Sequence, residues 1–527
     1  MLDPAPAMPQ HPSDSLDLVL PSERATLELA REIAVALAPG DMVALSGDLG
    51  TGKTTFARAL IRRLAGDEAL EVPSPTFTLM QIYDLPRHQV IHADLYRVNA
   101  PEELVELGFA DLAADAVAVV EWPDRAAAAL PVDRLDLEFS LAPDLTPNER
   151  RVRLTVHGAL AGRLERMTLM RRFLQEAEFG AAERSLIQGD ASTRIYERLS
   201  VGARRAVLMN APRRPDGPPV RDGLPYSRLV HLAEDVKPFV AMARGLRERG
   251  FSAPAIYAAD IDAGLLIVED LGVEPVATAD PPAAIEERYA VAVDLLVALH
   301  QLTLPEVLPV APRIDHRLAR YDADALLIEA ELLVDWYLPY RGKAADEAAR
   351  AEFAALWRPL LARAAAAPAT WALRDYHSPN LLWLPERAGI ARVGLLDFQD
   401  AVLGSAAYDV VSLLQDARVD VSESIETRLV SRYVKARRAH DRTFDFSAFF
   451  EIYAVLGAQR ASKVLGIFAR LAKRDGKSQY LRHHPRVWRN LRRSLAHPAL
   501  RSLKAWYDER APAPASGPVE ATMEGAT

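Results

Sequence analysis

Cysteine is missing from this chain of 527 residues. Its absence excludes a disulfide framework, a thiolate nucleophile and any metal site built on cysteine. An excess of positive charge is missing too: the formal net charge is -9, so the chain lacks the basic footprint of autonomous nucleic-acid binding. Long apolar runs are also missing, because no stretch reaches the roughly 18 to 20 residues of a membrane span. These absences favour a cytoplasmic protein that makes no membrane contact and reaches RNA only indirectly.

The two ends of the chain differ in composition from its middle. The N-terminus carries prolines and acids where a signal peptide needs a basic start and an apolar run, so we expect no signal peptide. Residues 1–15 and 511–527 are rich in proline and lack periodicity, and we predict that both are disordered. Over the whole chain 50% of residues are apolar and 26% are charged, which is a globular composition. The length predicts two domains.

Short β-rich runs alternate with helical stretches in the first third of the chain. This pattern predicts an α/β domain over residues 16–158, built on a mostly parallel sheet and closed by a hairpin of residues 134–141 and 151–156. Residues 159–167 are predicted to form a connector. The following part is strand-like at first and dominantly helical beyond residue 282, which favours an α+β, protein-kinase-like, two-lobed domain over residues 168–507.

Residues 47–54 match the phosphate-binding pattern G-x-x-x-x-G-K-[ST], between an apolar strand and a helix, as the mechanism requires. Glycines let successive backbone N–H groups turn toward phosphates, and the helix N-terminus adds positive potential. Lys53 is expected to reach the β and γ phosphates, and Thr54 to offer its hydroxyl to Mg²⁺. The predicted ATP-binding residues of this loop are Gly47, Gly50, Thr51, Gly52, Lys53, Thr54 and Thr55.

P-loops hydrolyse little ATP without a second carboxylate and a group that senses the γ-phosphate. The downstream segments supply candidates: Thr76 lies in a proline-stiffened loop, Asp94 ends an apolar strand, and Glu121 ends another strand directly before Trp122. Taken alone, Trp122 fits a core role as well as a site role. His92 fits a structural histidine better than a ligand.

The order of these segments resembles the ATPase subunit of the bacterial tRNA threonylcarbamoyladenosine machinery, over about residues 15–158. The matching motifs are the P-loop, SPTF, H-x-DLYR, EEL-x-x-LGF and EWP. The resemblance implies that Thr54 and Asp94 hold Mg²⁺, that Thr76 lies at the γ-phosphate, and that Glu121 positions water or gates hydrolysis beside Trp122. It also implies partners among the threonylcarbamoyl-transferase complex proteins.

A second phosphoryl-transfer pattern lies near residue 375. Asp375 and Asn380 stand five apart, as in the catalytic loop of kinases, and Asp397 follows a later apolar run where a DFG-like acid belongs. Phosphoryl transfer needs a carboxylate that orients the attacking hydroxyl and takes its proton, which we assign to Asp375. Two oxygen ligands must hold Mg²⁺ across the phosphates, which we assign to Asn380 and Asp397.

Upstream segments complete a predicted nucleotide site. Residues 187–194 indicate a phosphate-covering turn between strands, with Gly189, Ser192, Thr193 and Arg194 as ATP-binding candidates. Residues 265–272 indicate the hinge where adenine meets the chain, with Glu269 and Leu271 as candidates.

The lysine that pairs with phosphate in most kinases is missing, because Met209 occupies its expected place. We expect Arg194 or Arg198 to bind phosphate instead, since guanidinium groups bind phosphate oxygens through charge-assisted hydrogen bonds. The alternative is that both arginines are solvated strand residues.

Together these segments resemble the aminoglycoside-phosphotransferase superfamily, and in detail the anomeric kinases of N-acetylmuramate and N-acetylglucosamine, over about residues 168–507. The details are GDAS-T-R-x-Y, MNAP, EDLG, DWYLP, RDYHSPNLLW, LLDFQDA, GSAAYD and KVLGIFARL. The resemblance implies transfer from ATP, with Mg²⁺, to the C1 hydroxyl of an amino sugar in peptidoglycan recycling. Because sugar sites combine carboxylates with aromatic faces, the candidate substrate contacts are Glu331, Asp335, Tyr376 and Asp400; Trp336 and Tyr337 fit core packing better.

Three hypotheses remain open from the sequence. The first is a bifunctional enzyme that joins the ATPase to an amino-sugar kinase. The second makes the later domain an antibiotic kinase, which would display a cluster of acids for a polycationic substrate. The third makes it a non-catalytic nucleotide-binding regulator of the first domain, although Asp375, Asn380 and Asp397 are all present.

Overall fold

The chain forms two units, Met1–Gly180 and Ala181–Thr527. The computed structural model describes residues 15–85, 88–98, 100–131, 133–141, 146, 148–158, 161–187, 194–213 and 217–514. Among them no helix combines the length and the apolar character that crossing a membrane requires.

The first unit alternates strands and helices. In chain order its elements are β1 (Ser15–Leu20), α1 (Glu23–Ala36), β2 (Met42–Ser46), α2 (Lys53–Ala65), β3 (Met80–Asp84), β4 (Gln89–Asp94), α3 (Pro101–Glu106), α4 (Phe109–Ala114), β5 (Ala116–Glu121), β6 (Arg134–Ser140), β7 (Arg150–His157) and α5 (Ala161–Glu176).

The strands of the first unit form one mixed sheet in the order β1-β7-β6-β2-β5-β4-β3. Its centre, β6-β2-β5-β4, is parallel, whereas β3, β7 and β1 pair antiparallel. The predicted α/β domain and the hairpin β6–β7 are confirmed. The prediction of a mostly parallel sheet holds only for the centre of the sheet, because β3, β7 and β1 each pair antiparallel. The carboxyl ends of β2, β4 and β5 meet at one edge, where loops gather.

The central strand β5 shows why this sheet is covered on both faces. All six of its residues are buried. Val117 and Val119 pack into a cluster with residues of α1 and α2, while Ala118 and Val120 pack into another with residues of α3 and α4. Because successive side chains of a strand point to opposite faces, a continuous apolar run buries both.

Helix α5 belongs to the first unit. Its Met167 joins the apolar cluster beneath α1, and Arg171 forms an ion pair with Glu32 of α1. The division between the units therefore falls after Gly180, later than the predicted connector at 159–167, because the helical pattern there packs onto α1 instead of linking two domains.

The second unit begins with strands and continues with helices. Its elements are β8 (Glu183–Ile187), β9 (Ile195–Val201), β10 (Arg204–Asn210), β11 (Pro219–Arg221), β12 (Leu224–Pro225), α6 (Tyr226–Leu229), α7 (Lys237–Glu248), β13 (Ile256–Asp260), β14 (Leu265–Glu269), α8 (Glu286–His300), β15 (Val307–Ala311), β16 (Ile314–Arg317), α9 (Ala323–Leu332), α10 (Leu338–Tyr340), α11 (Glu347–Ala365), β17 (Ala369–Ala372), β18 (Leu381–Trp383), β19 (Val393–Leu395), β20 (Val402–Ser405), α12 (Ala407–Leu414), α13 (Glu423–His440), α14 (Phe446–Asp475), α15 (His484–Leu495) and α16 (Arg501–Arg510).

An antiparallel sheet, β13-β14-β10-β9-β8, opens this unit, and the helices from α8 onward follow it. Between α9 and α10 a π-helical turn covers Leu333–Tyr337. The two short strand pairs β17-β20 and β18-β19 frame the segments that carry Asp375 and Asp397. A single apolar cluster extends from Met209 and Val268 in the sheet to the C-terminal helices.

The tail predicted to be disordered from Ala511 is in fact packed at its start. The Tyr337 hydroxyl donates to the Pro512 carbonyl at 2.7 Å, and Arg341 donates to the Ala513 carbonyl at 3.1 Å. Residues 1–14 and 515–527 lie outside the described residues.

Candidate active sites

The loop between β2 and α2 has a backbone that only glycine permits at Gly47. Its φ is 126°, and a Cβ there would lie 2.1 Å from the Phe139 carbonyl oxygen. Gly52, also at positive φ, precedes α2 and offers no side-chain cap to the first helical turn. The first amides of a helix lack intrahelical partners, so this turn presents N–H groups and the positive end of the helix dipole to an anion. The cradle fits a phosphate.

The lysine of this loop is held inside it. Lys53 Nζ donates to the carbonyls of Gly47 at 2.7 Å and Asp48 at 2.8 Å, and it lies 3.9 Å from the centre of the Trp122 ring. Burial lowers the pKa of Lys53, and the charge of Glu121 opposes that shift. Trp122, which the sequence left between core and site, thus lies in the site, at a positive φ of 60°.

The loop threonine and the predicted Mg²⁺ ligand Asp94 have different hydrogen-bond partners. Thr54 Oγ1 donates to Glu121 Oε2 at 2.7 Å, and the second oxygen of Glu121 lies 3.0 Å from His92 Nε2. Asp94 instead accepts from Thr76 at 2.8 Å and from Ser74 at 3.2 Å.

Asp94 and Glu121 are side by side because β4 and β5 are parallel neighbours with these two residues in register. Both carboxylates therefore reach the P-loop edge, and either can offer an oxygen to a Mg²⁺ ion beside Thr54. His92, expected to be merely structural, belongs to this network through Glu121.

In the second unit the Asn380 side chain links the main chain of Asp375 to the carboxylate of Asp397. Asn380 Nδ2 donates to the Asp375 carbonyl at 3.0 Å and lies 3.5 Å from Asp397 Oδ2. Its amide nitrogen is thus engaged, which leaves the amide oxygen to a cation. Asp397 has a positive φ of 56°, an uncommon backbone conformation that tends to persist at functional sites. One amide oxygen and one carboxylate match what Mg²⁺ takes from a protein when phosphates supply further ligands.

The loop that carries Asp375 is held by a buried carboxylate. Asp409 of α12 accepts the backbone N–H groups of Leu373 at 2.7 Å and Arg374 at 2.9 Å, and Ser412 donates to the Arg374 carbonyl at 2.9 Å. Burial raises the pKa of Asp409 to about 7, although both N–H groups oppose that shift. These bonds fix the strained turn at Arg374, whose φ is 64°.

Arg374 itself is buried in an ionic cluster with Glu329 and Lys463. Its guanidinium pairs with Glu329 Oε1 and donates to the Val230 carbonyl at 2.8 Å, and Lys463 Nζ lies 2.7 Å from the same Glu329 oxygen. A buried carboxylate is tolerable only when paired, and here two cations pair with it. The cluster ties the residue before Asp375 to α9 and α14.

The two carboxylates of this site differ in proton affinity. Burial alone would raise the pKa of Asp375, but the positive potential of His377, Lys463 and Arg460 holds that pKa below its ordinary value. Since burial lowers the pKa of His377 to about 4, that ring is neutral at pH 7, and Lys463 and Arg460 carry the effect there. Burial, with the charge of Asp375, raises the pKa of Asp397. A divalent cation would relieve that repulsion.

The two arginines predicted to replace the kinase lysine have different positions. Arg194 lies 3.3 Å from Asp397 Oδ1, inside the site, whereas Arg198 pairs with Asp270 at 2.6 Å, beside the hinge. Met209 is buried in the strand between them and the hinge, opposite Tyr196. Gly189, Ser192 and Thr193 lie outside the described residues.

The predicted hinge, residues 265–272, consists of β14 and the three residues that follow it. The Glu269 carboxylate is engaged by Arg247 at 3.1 Å and Arg387 at 2.6 Å, so adenine would meet the main chain here and not this side chain. Leu271 is buried, with 7% of its surface exposed.

Comparison with known proteins finds one family in each unit. The family model "Threonylcarbamoyl adenosine biosynthesis protein TsaE" matches residues 20–152, and the model "Phosphotransferase enzyme family" matches residues 183–446. An N-acetylmuramate/N-acetylglucosamine kinase of Caulobacter vibrioides is 43% identical over 66% of this chain and 97% of its own length. A TsaE protein of Rickettsia bellii is 36% identical over 24% of this chain and 87% of its own length. The chain belongs to both families.

The TsaE unit (Met1–Gly180) and the kinase unit (Ala181–Thr527) are therefore a fusion of two ATP-using families. A second relative of the kinase unit, an N-acetylmuramate/N-acetylglucosamine kinase of Pseudomonas aeruginosa, is 32% identical over 60% of this chain and 86% of its own length.

The candidate sugar contacts of the kinase unit fall into two groups. Glu331 and Asp335 line an open pocket together with Trp336, which is half-buried. Asp400 lies next to that pocket, where it accepts the Ala233 N–H at 2.6 Å. Tyr376 does not join them: its ring is buried and its hydroxyl donates to the Ala292 carbonyl at 2.8 Å. Tyr376 is a core residue, because its ring packs in the apolar cluster of the kinase unit.

Several functional residues escaped the sequence analysis. Asp409, Glu329 and Lys463 act on the catalytic loop from helices far along the chain, and a buried charge cannot be recognised from one sequence. The available signal was polar residues on apolar helices: α9 and the middle of α14 are apolar stretches interrupted by Glu329 and by Gln459, Arg460 and Lys463.

Proposed function

We propose that this chain is a bifunctional enzyme, an ATPase that supports threonylcarbamoyladenosine modification of tRNA joined to a kinase of the amino sugars N-acetylmuramate and N-acetylglucosamine. The observation that carries the kinase half is the convergence of Asp375, Asn380 and Asp397 on adjoining turns. The relatives named for this sugar activity, which the chain covers almost completely, support the substrate class.

Each residue of the kinase site has a distinct task in this proposal. Asp375 accepts the hydrogen bond of the sugar C1 hydroxyl, aligns its oxygen with the γ-phosphorus of ATP and takes its proton as the new bond forms. Asn380 and Asp397 hold Mg²⁺, which offsets the charge of the phosphates. Arg194 contributes the positive charge that a strand lysine supplies in other kinases.

The pocket next to this site argues against a polycationic antibiotic. Each of its acids is already engaged by arginine: Glu331 with Arg221, Asp335 with Arg350, and Glu234 with Arg228. An aminoglycoside site instead needs carboxylates that are available to ammonium groups. The charge pattern therefore favours a neutral or anionic sugar.

In the TsaE unit, we infer that Lys53 and the first turn of α2 bind the ATP phosphates, with Thr54, Glu121 and Asp94 around Mg²⁺ and Thr76 near the γ-phosphate. We expect slow hydrolysis by this chain alone, because the family's task is one step of a process shared with other proteins. The partners would be the threonylcarbamoyl-transferase complex proteins, with tRNA reached through them, in the cytoplasm.

Phosphorus NMR tests the kinase assignment. The full chain is incubated with ATP, Mg²⁺ and, separately, N-acetylmuramate, N-acetylglucosamine and an aminoglycoside. The expected product is an acid-labile phosphate at C1 of the two amino sugars. A C6 phosphate, or transfer to the aminoglycoside alone, contradicts the substrate; no transfer to any acceptor favours a nucleotide-binding regulator.

Stimulated ATP hydrolysis tests the TsaE unit. Phosphate release by an Asp375→Asn chain, in which the kinase is disabled, is expected to be slow and to rise when the threonylcarbamoyl-transferase proteins are added. Modification of tRNA by this chain with no added protein would contradict the assigned partnership.

A further inference from the structure

The open pocket of the kinase unit, about 830 Å³ in volume, is of the size that holds small molecules. Ala233, one of its lining residues, donates its N–H to Asp400 at 2.6 Å, three residues after Asp397. The pocket therefore adjoins the acceptor side of the phosphoryl-transfer site. Its opposite wall is formed by α9, by the π-helical turn, and by the last turns of α14.

Arg470 projects into this pocket from a rigid position on α14. One turn earlier, Gly466 faces Leu332 of α9 so closely that a Cβ would lie 2.3 Å from the Leu332 carbonyl carbon. The two helices are thus in backbone contact. Since residues four apart lie on the same face of a helix, Arg470 is fixed next to Leu332 and Glu331.

The charges of the pocket are unevenly satisfied. Its acids are engaged by arginines, as described above. Arg474 is engaged as well, through two hydrogen bonds to Asp475 at 2.6 and 3.0 Å.

Arg470 differs from these groups. Its Nε is shielded from solvent and has no hydrogen-bond partner in the part of the chain that the structure describes. Its guanidinium carbon lies 5.5 Å from the centre of the Tyr226 ring, a contact that orients the planar group without neutralising it. The nearby Asp475 is occupied by Arg474. Burial lowers the pKa of Arg470, yet a guanidinium stays charged at neutral pH. Among the described residues, this half-buried guanidinium forms no ion pair, which costs free energy unless a ligand supplies an anionic partner.

We propose that Arg470 binds a carboxylate on the sugar substrate and so determines the preference of the kinase unit between its two acceptors. This inference rests on the proposed function. N-acetylmuramate is N-acetylglucosamine with a lactic-acid ether, so the two sugars differ in one carboxylate. A guanidinium matches a carboxylate with two parallel hydrogen bonds. Arg470 would leave binding of the neutral sugar unchanged.

Steady-state kinetics of the full chain on both sugars tests this assignment. Arg470→Gln should lower kcat/KM for N-acetylmuramate about 100-fold, mostly through KM, because the carboxylate would be left unpaired in the pocket. The value for N-acetylglucosamine should change less than about threefold, and the KM for ATP should not change. Arg363→Gln is the matched control, since Arg363 of α11 is exposed outside the pocket and pairs with Glu451, and it should affect both sugars alike and weakly.

A neutral substrate sharpens the test. The methyl ester of N-acetylmuramate keeps the shape of the ether and loses the charge, so the unaltered chain should use it about 100-fold less well than the acid. In the Arg470→Gln chain the acid and the ester should be equally poor. Arg470→Lys, which keeps the charge and loses the paired geometry, should give an intermediate value for the acid and provides the same comparison if the glutamine variant fails to fold.

The outcomes separate this inference from the proposed function. Equal losses on both sugars, or a selective loss in Arg363→Gln, would overturn the role of Arg470 and leave the kinase assignment intact. Efficient use of N-acetylglucosamine together with indifference between acid and ester would do the same. Failure of the unaltered chain to phosphorylate either sugar would overturn the proposed function itself.

Discussion

In the TsaE unit, the residues proposed to bind phosphate are consecutive, from Gly47 to Thr54, and lie in the loop between β2 and α2 and in the first turn of α2. In the kinase unit, Arg194 meets Asp397 across 203 positions of sequence, and the loop of Asp375 is held by Asp409 from another helix. The phosphate-binding loop of the first site is one continuous segment, whereas the second site is assembled from distant segments of its domain. A local site tolerates change elsewhere, whereas an assembled site depends on every element that brings it together.

In the proposed functions, the two sites also neutralise phosphate charge with different groups. Lys53 and the amides of the α2 N-terminus act in the first. In the second, buried Met209 stands where a lysine is usual, and a guanidinium lies beside Asp397 instead. A lysine at 1% exposure in the β-sheet would have to be desolvated, while Arg194 reaches the site from the start of β9.

The largest expected effect separates the two sites through Asp375. Asp375→Asn should lower kcat of sugar phosphorylation by roughly 10³-fold, because the amide cannot take the proton, while the KM for ATP changes little. Nucleotide binding by the TsaE unit should be unaffected. Kinetics with N-acetylglucosamine and nucleotide titration of the same preparation measure both. An equal loss at the two sites in a folded chain would show that they are coupled.

The reciprocal change is Lys53→Ala, which should weaken nucleotide binding by the TsaE unit by about 100-fold through loss of its charge-assisted phosphate contacts. Sugar phosphorylation by the same chain should remain within twofold of the unaltered protein. Fluorescence of Trp122, which lies 3.9 Å from Lys53 Nζ, gives a local probe of nucleotide binding. Retention of tight nucleotide binding by the Lys53→Ala chain would contradict the role assigned to Lys53.

A smaller effect is expected at Arg194. Arg194→Gln should raise the KM for ATP in sugar phosphorylation about tenfold, the consequence of losing one charge-assisted hydrogen bond. Arg205→Gln is the matched control, because Arg205 is exposed on the neighbouring strand and bonds Ser200. If Arg198→Gln, at the Asp270 pair, raised the KM for ATP more than Arg194→Gln, the assignment of phosphate binding to Arg194 would be wrong.

The smallest effect at neutral pH concerns stability of the kinase unit. His300 is buried against the Tyr433 hydroxyl at 2.9 Å, and burial lowers its pKa to about 3. Below about pH 6.5 the unfolded chain binds a proton at His300 and the folded chain does not. The contribution of His300 to the free energy of unfolding is therefore fully present above pH 6.5 and is lost as pH drops toward 3. The loss at pH 5 from this histidine is about 2 kcal/mol.

Urea unfolding followed by tryptophan fluorescence measures this loss, since every tryptophan except Trp122 lies in the kinase unit. His300→Gln keeps a polar partner for Tyr433 and removes the titrating ring, so its unfolding midpoint should decline less between pH 7 and pH 5. A midpoint that declines equally in both chains would contradict the role of His300.

The sequence was most informative where spacing alone defines chemistry. The P-loop is a short pattern whose geometry follows from the local backbone, and so is the five-residue step from Asp375 to Asn380. The structure brings Asp375, Asn380 and the later Asp397 together. The sequence was least informative about partners across elements. Thr54 bonds Glu121 and not Asp94, a choice made by the pairing of β4 and β5. Tyr376, next to Asp375, is a core residue, and the direction of its side chain could not be predicted from its residue type.

From the sequence alone we predicted the two families, the α/β and kinase-like architectures, and the candidate catalytic residues that follow from short-range spacing. Only the tertiary structure decided where the first unit ends, which acid meets Thr54, and which arginine stands beside Asp397. It also decided that Arg374, Glu329 and Lys463 form one buried cluster and that the shielded Nε of Arg470 has no hydrogen-bond partner among the described residues. The physical reason is that burial and charge pairing depend on what packs from distant positions, so the same residue type is a solvated charge in one place and an unsatisfied one in another.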